Sequence, residues 1–215
     1  MKNKKALAFC GDMGYNVSAR EIVFCGKRIR NRRKRCPGFA PRAFYFDIQK
    51  RKQAMERKSK INYYLDIAQT VSSRGTCLRK NFGAIIVRND VIVSTGYNGA
   101  PRGRQNCCDM GHCLRDQLKI PRGERYELCR SVHAEANAII AAPREQMLGA
   151  DLYLCCVDPA SGELVGGTTS CQMCKRLVIN AGIERVIVRE NAEEFSIYNV
   201  EDWITNDDSL GQMGY

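Results

Sequence analysis

The sequence predicts an α/β fold, a sheet with helices on both of its faces. Three observations carry this. Apolar residues recur at helical spacing at Ile61, Tyr64, Leu65, Ala68 and Val71. Two β-branched runs, residues 82–87 and 91–97, flank Arg88-Asn89-Asp90 in the manner of a hairpin. Beyond His133 the pattern alternates helix, strand, helix, strand.

The first helix is expected to begin after Ser59 and to stop by Gly75. After the hairpin, residues 98–130 are polar and rich in cysteine, and read as an insertion. Residues 133–142 read as an alanine-rich helix that cannot continue through Pro143. Residues 152–157 read as a strand, 171–181 as a helix closed by Gly182, and 185–189 as a further strand. The tail, residues 197–204, reads as a short amphipathic helix containing the single tryptophan, Trp203.

The formal charge of +11 is unevenly spread. Residues 1–60 hold 18 Lys+Arg against 4 Asp+Glu, whereas residues 61–215 hold 16 against 19. The chain is therefore expected to divide into a basic leader, residues 1–54, and one domain, residues 55–215. A body that grips a polynucleotide more often carries a basic face of its own, so nucleic acid is expected as a partner only through the leader. Three readings of that leader stay open: a nucleic-acid-binding arm around the run Lys27 to Arg35, a poorly ordered segment of mutually repelling charges, or residues preceding a native start at Met55. The 12 cysteines come without a secretory signal, and no apolar stretch has the length of a membrane span. Metal-bound and free thiols in a reducing cytoplasm fit this usage better than a disulfide scaffold.

His133-Ala134-Glu135 and Cys171-Gln172-Met173-Cys174 carry the chemistry. Cys171 and Cys174, three apart at a helix start, can converge on one metal, and the exposed N–H groups there favour thiolates. His133 would be the third ligand, leaving the fourth tetrahedral position of a Zn2+ ion open to water. An ion so held acidifies that water. Glu135, not itself a ligand, is placed to move protons between the water and a substrate. A purely structural zinc would want a fourth protein ligand, which His-Ala-Glu at a helix start supplies poorly. The arrangement is that of zinc-dependent nucleobase deaminases.

From about Ile61 to Val188 the sequence resembles the deoxycytidylate (dCMP) deaminases of the cytidine and deoxycytidylate deaminase superfamily. The resemblance rests on Gly83-Ala84-Ile85-Ile86-Val87, Gly96-Tyr97-Asn98-Gly99-Ala100-Pro101, the stretch Cys129 to Ile139, and the stretch Cys171 to Ile183. It implies a three-layer α/β/α sandwich around a mixed five-stranded sheet, hydrolysis of dCMP to dUMP and ammonia that supplies thymidylate synthesis, a homo-oligomer, and control by dCTP and dTTP. It also implies that Asn98 faces the sugar or phosphate, with Arg79, Lys80, Arg102 and Arg144 as candidate phosphate contacts. Proline is the residue usual directly before the first zinc cysteine, where this chain has Ser170. Serine can cap a helix start, and the carbonyl of Thr169 or Ser170 would still accept from the leaving amino group. The link 161–167 is longer than usual and is expected to reshape the pocket wall. Some members resembling this chain hold a second, structural zinc. Cys77 and Cys107 match two of its ligands, with Cys129 and either Cys113 or His112 to complete it.

Three other readings stand beside this one, the weakest a nucleic-acid-binding module resting on the basic leader. A tRNA adenosine deaminase shares the metal motif, but the acidic body and the Gly-Tyr-Asn-Gly-Ala-Pro segment favour a free nucleotide. A catalytically inactive deaminase-like binding protein fits less well, because all three ligands and Glu135 are present.

Overall fold

The computed structural model describes residues 57–121 and 123–206. The readings of the leader, residues 1–54, lie outside the described residues. Helix α1 (Lys60–Ser72) is capped by the Ser59 hydroxyl, which accepts from the Asn62 N–H at 3.2 Å. The hairpin follows as β1 (Asn81–Arg88) and β2 (Val91–Tyr97). Its turn residues Asn89 and Asp90 both adopt positive φ, 50° and 67°, as a two-residue turn matched to strand twist requires. The insertion forms short helices α2 (Cys107–Met110) and α3 (Leu114–Gln117) and a 3-10 turn at Tyr126–Leu128. Its two ends are pinned together by backbone hydrogen bonds exchanged between Gly99 and Val132.

The remaining elements are α4 (Ala134–Ile140), α5 (Arg144–Met147), β3 (Asp151–Val157), α6 (Gln172–Ala181), β4 (Arg185–Arg189), β5 (Phe195–Asn199) and α7 (Val200–Thr205). The five strands form one mixed sheet in the order β2-β1-β3-β4-β5, parallel at β3–β4 and antiparallel at the other pairings. The parallel pair needs a crossover, which α6 supplies. No described helix is long and apolar enough to cross a membrane.

Alternate residues of the central strands serve opposite faces. Ala84, Ile86, Leu152, Leu154, Val186 and Val188 pack with residues of α4, α6 and α7. Ile85, Val87, Tyr153, Cys155 and Ile187 pack with Tyr64, Leu65 and Ala68 of α1. Strands buried on both faces read as continuous apolar runs, and the result is the expected three-layer sandwich. Arg189, 2% exposed, ties α1 to this sheet by donating to Asp66 Oδ1 at 2.7 Å and to the Asn62 carbonyl at 3.0 Å.

The tail departs from the expectation drawn from spacing. Residues 195–199 form edge strand β5, paired with β4, and the helix begins only at Val200. Phe195 and Tyr198 are three apart, which places them on one side of a helix but on opposite faces of a strand. They pack into the two opposite cores, so pairing with β4 outweighed the helical spacing.

Two glycines set how closely helices approach the sheet. A Cβ at Gly83 would lie 2.0 Å from the Ala68 carbonyl oxygen of α1, and one at Gly96 would lie 2.3 Å from both the Ala134 carbonyl oxygen and the Ala138 nitrogen of α4. Ser94 Oγ donates to the Ala138 carbonyl at 2.8 Å and reinforces the second contact. Gly96 thereby seats the helix that begins at His133.

Candidate active site

The three candidate metal ligands come from the starts of two helices. His133 is the extended residue before α4 and Cys171 the extended residue before α6, with Cys174 buried in the first turn of α6. His133 Nδ1 lies 3.4 Å from Cys171 Sγ and 3.4 Å from Cys174 Sγ. Ligands bonded to one tetrahedral zinc at ordinary lengths stand about 3.6 Å apart, so the three fit that ion. Among the described residues they are the one group of three whose ligand atoms all lie within 4.8 Å of one another.

The donor set also calls for a cation on electrostatic grounds. Hydrogen bonding from Cys174, opposed by burial and aided by His133, holds the Cys171 thiol down at about 4. The Cys171 sulfur and burial push Cys174 the other way. Burial resists a charged His133, yet the Cys129 and Cys171 sulfurs beside it carry it up to about 10. Two thiolates this close are unfavourable unless positive charge sits between them. Glu135 lies in the first turn of α4, 4% exposed, and burial raises its carboxyl above the usual range.

These groups open onto a cavity of about 470 Å³. Its wall carries Arg79, Lys80, Arg115, Arg130 and Lys175, against Glu135 as the one carboxylate among the described residues. Arg115 is buried, donates to the Pro121 and Glu124 carbonyls, and stacks its guanidinium 4.6 Å from the Tyr126 ring centre. Tyr126 in turn meets the His133 ring edge-on at 5.1 Å, so the insertion braces a candidate metal ligand. Lys175 lies 5.1 Å over the Trp203 ring, which links α7 to the wall. The link after β3 folds back on it through a bridge between Val157 and Leu164, and so delivers Gly167, Thr168, Thr169 and Ser170 to the wall.

The residues singled out from sequence divide between the wall and the surface. Asn98 is buried in the wall, accepting from the Phe82 N–H and donating to the Lys80 carbonyl, both at 2.8 Å. It spends part of its amide on holding the start of β1. Arg79 reaches the wall while pairing with Asp116 at 3.4 Å. Arg144 is outside it, its Nε donating to the Asn180 carbonyl at 3.2 Å, because α5 packs against the far end of α6; Arg102 is exposed and likewise outside. Cys77, Cys107, Cys113 and Cys129 all line the cavity without forming a group as close as the metal triad. Burial raises the Cys107 thiol, helped by the neighbouring Cys77, Cys129 and Cys113. His112, the alternative ligand, is exposed and turned to the Met110 carbonyl at 3.0 Å.

Sequence reasoning passed over Arg115, Tyr126, Arg130, Ser131, Thr168 and Lys175. Lys175 had a signal, one helical turn after Cys171. Ser131, two residues before His133, had proximity alone. Arg115 and Tyr126 lie in an insertion with no period, and only its folding brings them to the site.

An open metal triad beside a buried carboxyl, set on two helix starts of an α/β/α sandwich, defines a hydrolase of the nucleobase deaminase type. The chain belongs to the cytidine and deoxycytidylate deaminases, whose zinc-binding region matches residues 58–190. It is 34% identical over 137 residues to a deoxycytidylate deaminase of Mycobacterium phage D29, covering 62% of this chain and 96% of the relative. It is 31% identical over 131 residues to the deoxycytidylate deaminase of Schizosaccharomyces pombe, covering 61% of this chain but only 37% of that longer protein. Among solved structures, dCMP deaminase from cyanophage S-TIM5 in complex with dCMP and dUMP is similar at 24% identity and a TM-score of 0.43, covering 73% of this chain and 96% of the other.

Proposed function

We propose that this protein hydrolyses dCMP to dUMP and ammonia, with one zinc ion held by His133, Cys171 and Cys174. The observation that carries the reading is a single cavity wall combining that triad, one buried carboxyl and five cationic side chains. When bound, zinc would supply the Lewis acidity that makes water reactive near neutrality. Glu135 would take a proton from the attacking water and pass it to ring nitrogen N3 as the C4–O bond forms. It would then take the proton of the new C4 hydroxyl and hand it to the amino group as the C4–N bond breaks. One water is consumed and one ammonia released. A carboxyl whose pKa is raised by burial suits such a carrier, since it must hold a proton between the two transfers. The Thr169 or Ser170 carbonyl would accept from the leaving amino group.

Arg79 and Lys80, joined by Arg115, Arg130 and Lys175, would receive the phosphate. A cavity of about 470 Å³ and an acidic body favour a free nucleotide over tRNA. A second zinc on Cys77, Cys107, Cys113 and Cys129 belongs to the same proposal and is supported by their convergence on one wall. Its binding would draw the sulfurs together and order the insertion. Assembly into a homo-oligomer and control by dCTP and dTTP complete the reading.

Ammonia release should be measured across dCMP, CMP, dCTP, deoxycytidine and tRNA, beside Glu135→Ala. The expected result is fastest turnover of dCMP, with the variant keeping its zinc and losing at least about 10²-fold in rate. Equal rates on dCMP and deoxycytidine would reject the phosphate assignment, and a fully active variant would reject the mechanism. Zinc analysis near two ions per chain supports the second site, and near one removes it.

A further inference from the structure

Among the described residues, Lys175 is the cation of the cavity wall that rests on a ring from outside that wall. Its backbone N–H donates to the Cys171 carbonyl at 2.9 Å, one turn of α6 back, so the two residues share a side of the helix. Its ammonium makes no ion pair or hydrogen bond with another described residue, and lies 5.1 Å from the Trp203 ring centre. Lysine carries a compact charge on a flexible stem, and without a partner that charge would wander over many positions. An aromatic face draws a cation by its negative potential yet leaves the N–H donors turned away from the ring unused. A carboxylate partner would instead neutralise the charge. A lysine held by a ring therefore keeps its full charge and spare donors for an incoming anion.

The ring is itself fixed. Trp203 packs against the core that includes Val178 and Ala181 of α6, and its ring centre lies 6.5 Å from that of Tyr198. Val200, the first residue of α7, is 3% exposed and donates its N–H to the Glu184 carbonyl at 2.9 Å, which anchors the short helix. β5 and α7 contribute no residue to the cavity wall, so the Lys175 contact is their link to the site.

We propose that Trp203 is a positioning residue for the substrate phosphate: its ring holds the Lys175 ammonium at the cavity wall, where that charge meets the phosphate. This rests on the dCMP reading above. Phosphate binding would then alter the electric field at the only tryptophan of the chain, so Trp203 fluorescence reports the event. A tryptophan that only packed α7 on the core would affect a nucleotide and its nucleoside alike. One that positions Lys175 affects the ligand that carries the phosphate.

The test uses the zinc-loaded full chain. Trp203→Leu keeps an apolar side chain and removes the ring, whereas Trp203→Phe keeps a smaller ring. In the leucine variant KM for dCMP is expected to rise about fivefold, with kcat within about twofold and deoxycytidine kinetics unchanged. Phenylalanine is expected to restore most of the lost KM. In the wild type dUMP should shift the Trp203 emission and deoxyuridine should not, and Lys175→Met should abolish the shift. An unchanged KM for dCMP in the leucine variant overturns the proposal, as does an equal rise for dCMP and deoxycytidine. A dUMP shift that persists in Lys175→Met overturns it too, and that measurement decides the matter if the leucine variant does not fold. Should the wild type not turn over dCMP, the deaminase reading fails. The emission response to inorganic phosphate, wild type against Lys175→Met, then still decides whether the pair receives an anion.

Discussion

Replacing Gly96 with alanine asks whether the close seating of α4 on β2 is what aims His133 and Glu135. The new Cβ would stand 2.3 Å from the Ala134 carbonyl oxygen, 2.3 Å from the Ala138 nitrogen and 2.9 Å from the Asn137 carbonyl carbon. All three are backbone atoms, so no side chain can rotate aside. Ordinary contact begins near 3.4 Å, and α4 must therefore lift from the sheet by about 1 Å. Overpacking of this kind costs ~1–3 kcal/mol, offset by ~0.5–1 kcal/mol from removing a glycine from a strand. The net expectation is a loss of roughly 1–2 kcal/mol. Two hydrogen bonds across the same junction, Ser94 Oγ to the Ala138 carbonyl and Asn137 Nδ2 to the Tyr97 carbonyl, would stretch with it. Because His133 immediately precedes α4 and Glu135 lies in its first turn, turnover of dCMP should fall by about 10²-fold, well beyond what the stability loss removes. Urea unfolding followed by Trp203 fluorescence gives the first quantity, and steady-state kinetics on the folded fraction gives the second. An unchanged midpoint would refute the packing argument. A lowered midpoint with full turnover would show that the seating of α4 does not set the site.

Three further outcomes follow from the geometry. Lys175→Ala should raise KM for dCMP by about tenfold or more while leaving deoxycytidine turnover nearly unchanged, since a charge-assisted hydrogen bond contributes ~1.5–3 kcal/mol; equal effects on both substrates would remove Lys175 from phosphate binding. In metal-free protein Cys171, held down at about 4, is a thiolate at pH 6 while Cys174, pushed up, is not. Iodoacetamide at that pH should label Cys171 selectively and zinc should suppress the labelling; a slow, unselective reaction read by peptide mapping counts against the assignment. Asp66→Ala leaves the buried Arg189 guanidinium without its carboxylate, and because Asp66 is itself partly exposed the cost should be about 2 kcal/mol in the urea midpoint, with little change in kcat.

How legible the site was in the sequence depends on how far apart its parts lie along the chain. His133, Glu135, Cys171 and Cys174 were readable because helix starts impose spacing, and the structure brings the ligand atoms of His133, Cys171 and Cys174 to within 4.8 Å of one another. The strand runs were readable because burial on both faces makes them continuously apolar. Arg144 drew attention only as a cation near the motif, and α5 carries it to α6 rather than to the cavity. The short edge strand β5 was hidden because five residues carry little period, and its partner β4 rather than its own spacing makes it a strand.

The reaction class was therefore a property of the sequence by itself, since two local motifs each dictate the geometry of their own helix start. The cavity wall was a property of the tertiary structure. Arg115, Tyr126 and Lys175 meet around the site only when the insertion, α6 and α7 fold against one another, and contacts between segments distant in the chain leave no local pattern. Ser170 belongs to both: the sequence marks it as a departure from proline, and folding buries it in the cavity wall.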